Sequence, residues 1–192
     1  MEKRRCRWCN DNALLTQYHD EEWGVPVFDD RKLFEFITLE GAQAGLNWLT
    51  ILQRREFYRQ ELDQFDVNKI ARYSAKKMAS MLENPRLIRN RLKLQSVVKN
   101  AQAFLTVQEQ FANFAEYIWQ FVDGQPKDGR LKKDQSPPSS SKESDSMSKD
   151  LKKRGFSFVG STICYAFMQA MGMVNDHNRD CFRYLEIVAH GK

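Results

Sequence analysis

Glu40 stands at a position where a carboxylate is costly. Leu33, Phe36 and Ile37 recur at the i, i+3, i+4 spacing of one buried helix face, and the next position on that face is Glu40. An acid on an apolar stripe must be paired, hydrogen-bonded or protonated. Gly41, Gly45 and Trp48 follow, and glycines weaken a helix while letting another molecule approach the backbone. Two roles fit. Glu40 is either a core carboxylate tied to an arginine or a helix N-terminus, or the acid of a lined pocket. The aromatics Trp8, Tyr18, Trp23 and Trp48 carry the same ambiguity. They serve as ordinary core, or as the stacking walls that an extruded nucleobase needs around a polar group reading its edge.

Two further sets of residues have chemistry in them. His177 and Cys181 are four apart, so on a helix they share a face and reach one ion. With Cys6 and His19 they make a Cys2His2 set that staples the two ends of the chain, a donor mixture suited to structural zinc. Cys6-x-x-Cys9 offers a rival set in which Cys9 replaces His19, and plain buried thiols are the remaining reading. The second set is Lys152-Lys153-Arg154-Gly155-Phe156-Ser157-Phe158-Val159-Gly160-Ser161, a basic edge running into a Gly-bracketed apolar hairpin between two helices. Such a hairpin brings backbone N–H groups up to a phosphate, and the nearby cations add attraction independent of sequence. It is also an ordinary helical connection with a solvated edge.

The elements that must position these residues are helical almost throughout. Residues 13–22 form a helix behind Asn10–Asn12, and Trp23-Gly24-Val25-Pro26 stops it. Asp29 or Asp30 caps the next helix, which begins near Lys32 and breaks between Glu40 and Trp48. Phe57, Tyr58, Leu62 and Phe65 recur at helical intervals, and Asp66 and Ser74 cap short helices over 67–72 and 75–82. Asn84-Pro85 predicts the start of a helix from Arg86 to about Val107, with Leu87, Leu94, Val98, Ala101 and Leu105 inward and Arg86, Arg89 and Lys93 as a basic edge. A helix from Asn113 stops at Gly124. Residues 124–143, rich in Pro, Ser, Gly and Lys with Leu131 the one apolar side chain, read as a long, mobile surface loop. A helix-hairpin-helix over about 145–171 follows, and no convincing strand is found.

At 192 residues, 42% hydrophobic and 29% charged, the chain fits one domain over 1–192, read as bilobed. No apolar run nears the roughly 20 residues of a spanning helix, and the N-terminus lacks a signal-peptide core, so a cytosolic (cytoplasmic) protein with no membrane partner is expected. The four Cys are then expected as thiols or metal ligands rather than disulfides. The net charge of +5 permits a polyanionic partner.

These motifs together resemble one family. Cys6-x-Trp8, the run Tyr18 to Pro26, the run Leu39 to Trp48, the run Leu151 to Tyr165 and Val174-Asn175-Asp176-His177 match, in order and from about residue 4 to 184, DNA-3-methyladenine glycosylase I. The resemblance implies an all-α, bilobed helix-hairpin-helix glycosylase fold in which one structural zinc ties the N- and C-terminal segments. By position it implies Cys6, His19, His177 and Cys181 as zinc ligands, with Cys9 left over. Glu40 becomes the pocket acid that bonds the alkylated adenine, with Tyr18 and Trp48 holding the base and Trp8 and Trp23 as further wall. Gln43, Gly45 and Leu46 become the segment entering double-stranded alkylated DNA beside the vacated base, and the hairpin with Gly155, Phe158, Gly160 and Ser161 the phosphate-binding element. One departure is visible: Leu15 stands where close relatives can have a pocket Tyr.

The implied reaction is hydrolysis of an N-glycosidic bond, releasing free 3-methyladenine. Ser161 to Gly172 contains no acid, so Glu40 is expected to recognise and pull on the base, with general-base activation of water as the alternative. No lysine is placed by motif for a Schiff base, so no lyase step is expected, and a monomer suffices. A zinc-stapled, non-catalytic binder of damaged DNA accounts for the hairpin and the metal ligands but not for an acid among aromatics. A nucleoside glycosidase has no use for the hairpin.

Overall fold

The computed structural model describes residues 3–9 and 11–190; Asn10, one of the expected caps, lies outside them. The protein is mostly helical. A 3-10 turn over Arg7–Cys9 precedes α1 (Ala13–Glu21), whose first turn is capped by Asn12 Oδ1, accepting from the Leu14 and Leu15 N–H groups at 2.9 and 3.3 Å. Helix α2 (Asp30–Gln43) is capped by Asp29, which accepts from Lys32 N–H at 2.8 Å. Asp30, in the first turn, accepts instead from the backbone N–H groups of Phe114 and Ala115 at 2.8 and 2.9 Å. The two neighbouring acids therefore finish two different helices.

Helix α2 is the centre of the molecule. All ten residues from Leu33 to Ala42 are buried, so the helix is enclosed on every side rather than along one stripe. It ends at a turn in which Gly45 takes φ +77°, a left-handed conformation that glycine adopts without penalty. Asn47 then caps the short α3 (Trp48–Leu52). The break expected between Glu40 and Trp48 is thus at Ala44–Asn47, while Gly41 stays helical because a neighbour needs its space: a Cβ there would sit 3.2 Å from that of Phe158.

Helices α4 (Arg55–Glu61), α5 (Val67–Ile70) and α6 (Ala75–Glu83) follow, the last two capped by Asp66 and Ser74 as expected. Helix α7 (Arg91–Gln110) corrects the sequence reading. Asn84 bonds the Arg86 N–H in a turn, Leu87 is buried, and Ile88 N–H donates to the Tyr58 hydroxyl at 3.3 Å, so the segment follows α4 instead of starting a helix. The helix begins after Asn90, and the later start moves the inner face: Val97 is buried and Val98 only partly so. Lys93 leaves the predicted basic edge altogether. It is buried, and its ammonium donates to the carbonyls of Ala42 and Ala44 at 2.9 and 2.5 Å, closing the C-terminal end of α2.

Helix α8 (Phe114–Trp119), capped by Asn113, leads through a 3-10 turn to Gly124. The surface loop that follows is tied to the rest of the fold at several points. Strand β1 (Lys127–Asp128) pairs in parallel with β2 (Val174–Asn175), Leu131 is buried, and Asn178 donates to the carbonyls of Lys132 and Gln135. A lone apolar side chain and two residues of backbone pairing carry too little pattern to be read as a strand. Helices α9 (Lys142–Lys153), with a Ser141–Ser144 capping box, and α10 (Ser161–Ala170) flank the turn at 154–160. Asn100 of α7 holds that turn by bonding both the N–H and the carbonyl of Ser157, at 2.8 and 3.0 Å. Helix α11 (Phe182–His190) ends the described chain. No helix among the described residues is long and apolar enough to cross a membrane.

Candidate functional site

Four helices, a 3-10 turn and a loop meet at a cavity of about 280 Å³. Its walls include Trp8 from the 3-10 turn, Tyr18 from α1, Trp23 beyond its end, Glu40 and Gln43 from the last turn of α2, and Trp48 from the start of α3. All five residues predicted as pocket therefore share one space. The rings of Trp8 and Trp23 meet edge to face at 5.1 Å, and those of Tyr18 and Trp48 are tilted at 5.4 Å. Trp8 remains 40% exposed, so its ring is available to something entering the cavity. The Trp48 indole N–H is buried with no hydrogen bond among the described residues.

Glu40 is 4% exposed, and no hydrogen bond or ion pair reaches its carboxyl among the described residues. Burial alone pushes it up to about 8, so at neutral pH the empty cavity favours the protonated acid. The Tyr18 hydroxyl is pushed up by the same burial and by the neighbouring Glu40. The apolar walls make the acid costly to ionise, and a cation placed against it would reverse that cost.

Beside this cavity lies a smaller one of about 190 Å³, reached by Glu40, Gln43, Ala44, Gly45, Leu46, Thr162, Ile163 and Ala166. Leu46 is 41% exposed at the tip of the α2–α3 turn. The turn and the start of α10 therefore flank one entrance. Gly160 precedes α10 in an extended conformation and no side chain caps the first turn of that helix. Gly155 and Phe158 both take positive φ, at +97° and +56°, and Phe158 packs against Gly41, fixing the turn to α2. The Ser161 hydroxyl is engaged within the helix pair, by the Asp145 carboxylate and the Ser144 hydroxyl.

Cys6, His19, His177 and Cys181 are all buried, with one donor atom from each lying within 4.8 Å of the others. Cys6 Sγ is 3.7 Å from His177 Nδ1, and Cys181 Sγ is 3.4 Å from His19 Nε2 and 3.6 Å from His177 Nδ1. The edges of a tetrahedron with metal bonds of about 2.0–2.3 Å measure roughly 3.4–3.8 Å, so the set is already spaced to hold a metal. Both imidazoles are oriented from behind. His19 Nδ1 meets Asp20 at 2.8 Å, Arg5 grips that carboxylate, and His177 Nε2 meets the Trp23 carbonyl at 3.0 Å. The clustered donors include His19 and not Cys9, whose thiol donates to the Cys6 carbonyl. The helical spacing argued for His177 and Cys181 is also wrong: the pair spans a loop that turns at Asn178, before α11 begins.

Sequence reasoning missed three wall residues, Pro137, Ala166 and Gln169. Gln169 had a signal of the same kind as Glu40, a polar residue inside the apolar run Tyr165 to Met171. Pro137 had none.

A family model described as methyladenine glycosylase matches residues 8–184. The DNA-3-methyladenine glycosylase of Haemophilus influenzae is 48% identical over 92% of this chain and 96% of its own length. DNA-3-methyladenine glycosylase 1 of Escherichia coli is 46% identical, covering 94% and 96%. The structure of 3-methyladenine DNA glycosylase I from Staphylococcus aureus, described for its recognition of 3-methyladenine, superposes with a TM-score of 0.89 at 31% identity, over 93% of this chain and 95% of that one.

Proposed function

The chain belongs to the methyladenine glycosylase family, and on that premise we propose that it removes 3-methyladenine from alkylated duplex DNA as a single monofunctional glycosylase domain. The observation that carries this reading is Glu40, a buried acid without a partner among the described residues, in a cavity walled by Trp8, Tyr18, Trp23 and Trp48. Methylation at N3 gives the base a positive charge, and the cavity is built to be relieved by such a charge. The extruded cationic purine displaces the proton of Glu40, pairs with the carboxylate and stacks on the indoles. A neutral adenine offers no such compensation.

The C1′–N9 bond breaks with its electron pair returning to the base, which leaves neutral. Water adds to C1′ and loses a proton. Glu40 acts by recognising and pulling on the base, while DNA phosphates and ordered water act at the sugar. The α2–α3 turn, with Gln43, Gly45 and Leu46, fills the space the base vacates. The turn of Gly155, Phe158, Gly160 and Ser161 is a helix-hairpin-helix element whose uncapped N–H groups take a phosphate. No lysine among the described residues lines the cavity, and the buried Lys93 is committed to two carbonyls, which supports the absence of a lyase step. One chain supplies every wall, so a monomer suffices.

Methylated duplex DNA incubated with the protein and analysed by base should release 3-methyladenine, and borohydride should trap no covalent protein–DNA species. Binding of damaged DNA without release would make the chain a binder and not an enzyme. The Cys6–His19–His177–Cys181 set is assigned to one structural zinc, which joins the two ends of the fold and takes no part in the reaction. Metal analysis should find one equivalent, and chelation should lower Tm sharply; a metal-free protein with the same Tm removes the assignment.

A further inference from the structure

Gln169 is the one polar wall residue whose orientation is decided by the protein. Its amide nitrogen donates to Asp176 Oδ2 at 2.8 Å, and the same oxygen accepts from the Tyr165 hydroxyl at 2.8 Å. Asp176 is buried, 3% exposed, at the end of β2. Oδ2 accepts both bonds whether or not the acid carries a proton on its other oxygen, so the arrangement does not depend on its charge. Turning the amide over would set its oxygen against an oxygen that is already an acceptor. Gln169 Oε1 is therefore the outward end, and it has no hydrogen bond among the described residues while the side chain lines the same cavity as Glu40.

We propose that Gln169, oriented by Asp176 and Tyr165, is a specificity-determining acceptor of the base cavity: it takes an N–H of a 6-amino purine and rejects a 6-oxo purine. This rests on the glycosylase reading and deepens it. An exocyclic amino group offers two N–H donors, enough for Glu40 and Gln169 together. A 6-oxo group presents an oxygen to the oxygen of Gln169, leaving both without a partner between apolar walls. Sites that hydrogen-bond a substrate group reject analogues lacking it far more strongly than apolar walls do. Glu40 alone cannot make this distinction. With its pKa near 8 it can present either an O–H or an O⁻, and so suits a purine acceptor as well as a donor. The amide of Gln169 has no second state.

The test compares 3-methyladenine with 3-methylguanine, both as free bases binding with quenching of the cavity tryptophans and as products released from methylated DNA. The wild type should prefer 3-methyladenine. Gln169→Leu should lower its affinity for 3-methyladenine about tenfold and narrow the preference by a similar factor. Asp176→Ala removes the acceptor that fixes the amide, so it should narrow the preference while one equivalent of metal is retained. If Gln169→Leu does not fold, Asp176→Ala and Gln169→Met carry the same comparison. Equal loss of both bases with an unchanged ratio would show that Gln169 is only wall, and the proposal fails. Equal release of the two bases by the wild type also overturns it. A wild type that prefers free 3-methyladenine yet releases no base from DNA would sink the glycosylase reading and leave this one standing.

Discussion

Glu35 and Glu40 lie on the same helix and are almost equally withdrawn from water, at 6% and 4% exposure. Glu35 is met by the protein itself. Arg55 donates to it at 2.6 Å and Arg59 at 3.0 Å, and the same Arg55 holds Glu22 with two further bonds of 2.7 and 3.0 Å. Burial would raise Glu22, but Arg55 and then Lys32 outweigh it and hold that carboxylate down at about 2. Glu40 receives nothing comparable and is pushed up to about 8. The core carboxylate tied to an arginine, one of the two roles open to Glu40 on pattern, does exist, and it is Glu35. The contrast teaches how to separate structural from functional burial of charge. A carboxylate whose cost is met by fixed cations holds the fold together, whereas one left unmet beside an open cavity waits for a ligand.

The largest effect that would break this comparison is on catalysis. Glu40→Gln should lower excision of 3-methyladenine about 100-fold, equivalent to ~3 kcal/mol, with binding of the free base falling alongside it. Intact binding with collapsed excision would instead make Glu40 a general base. Next is stability at the paired site. Arg55→Leu strands Glu35 and Glu22 and should cost about 3 kcal/mol, a fall in Tm of roughly 6–12 °C, with excision per folded molecule unchanged below the transition. A shift under one degree would show that Arg59 and Lys32 suffice.

The smallest effect is the most discriminating. Glu40 is raised in the folded state from its usual 4.5 to about 8, so the folded protein holds a proton that the unfolded chain releases between those values. Stability from this group therefore falls as pH rises across that window. Glu40→Gln should melt with the wild type below about pH 4.5 and be the more stable of the two above pH 8, measured by denaturant titration at both ends. Equal stability at pH 8 would mean that Glu40 has a partner after all. An activity loss coupled to a stability gain is the signature of a residue kept for function.

Much of the fold was legible because its signals are local. Asn12, Asp29, Asp66, Ser74 and Asn113 cap the helices that follow them, and a cap is a bond between residues two or three apart. Asn84-Pro85 failed where a distant residue, Tyr58, captured the segment and handed the cap to Asn90. The contacts of the 124–143 loop were illegible for a like reason, since they come from β2 and Asn178, some 45 residues away.

Residue types and spacing by themselves singled out which side chains could carry chemistry: the Cys and His residues near the two ends, the acid among aromatics, and the Gly-bracketed turn between helices. Their identities follow from what carboxyl, thiolate, imidazole and indole can do. Only the tertiary structure decided which of those groups are satisfied. It gave Glu35 its arginines and left Glu40 with none, withdrew Cys9 from the metal set, buried Lys93 under the end of α2 and turned the amide of Gln169 by way of Asp176. The reason is physical. A partner for a buried polar group is supplied by whatever lies a few ångströms away in space, and in this chain that partner was often tens of residues distant in sequence.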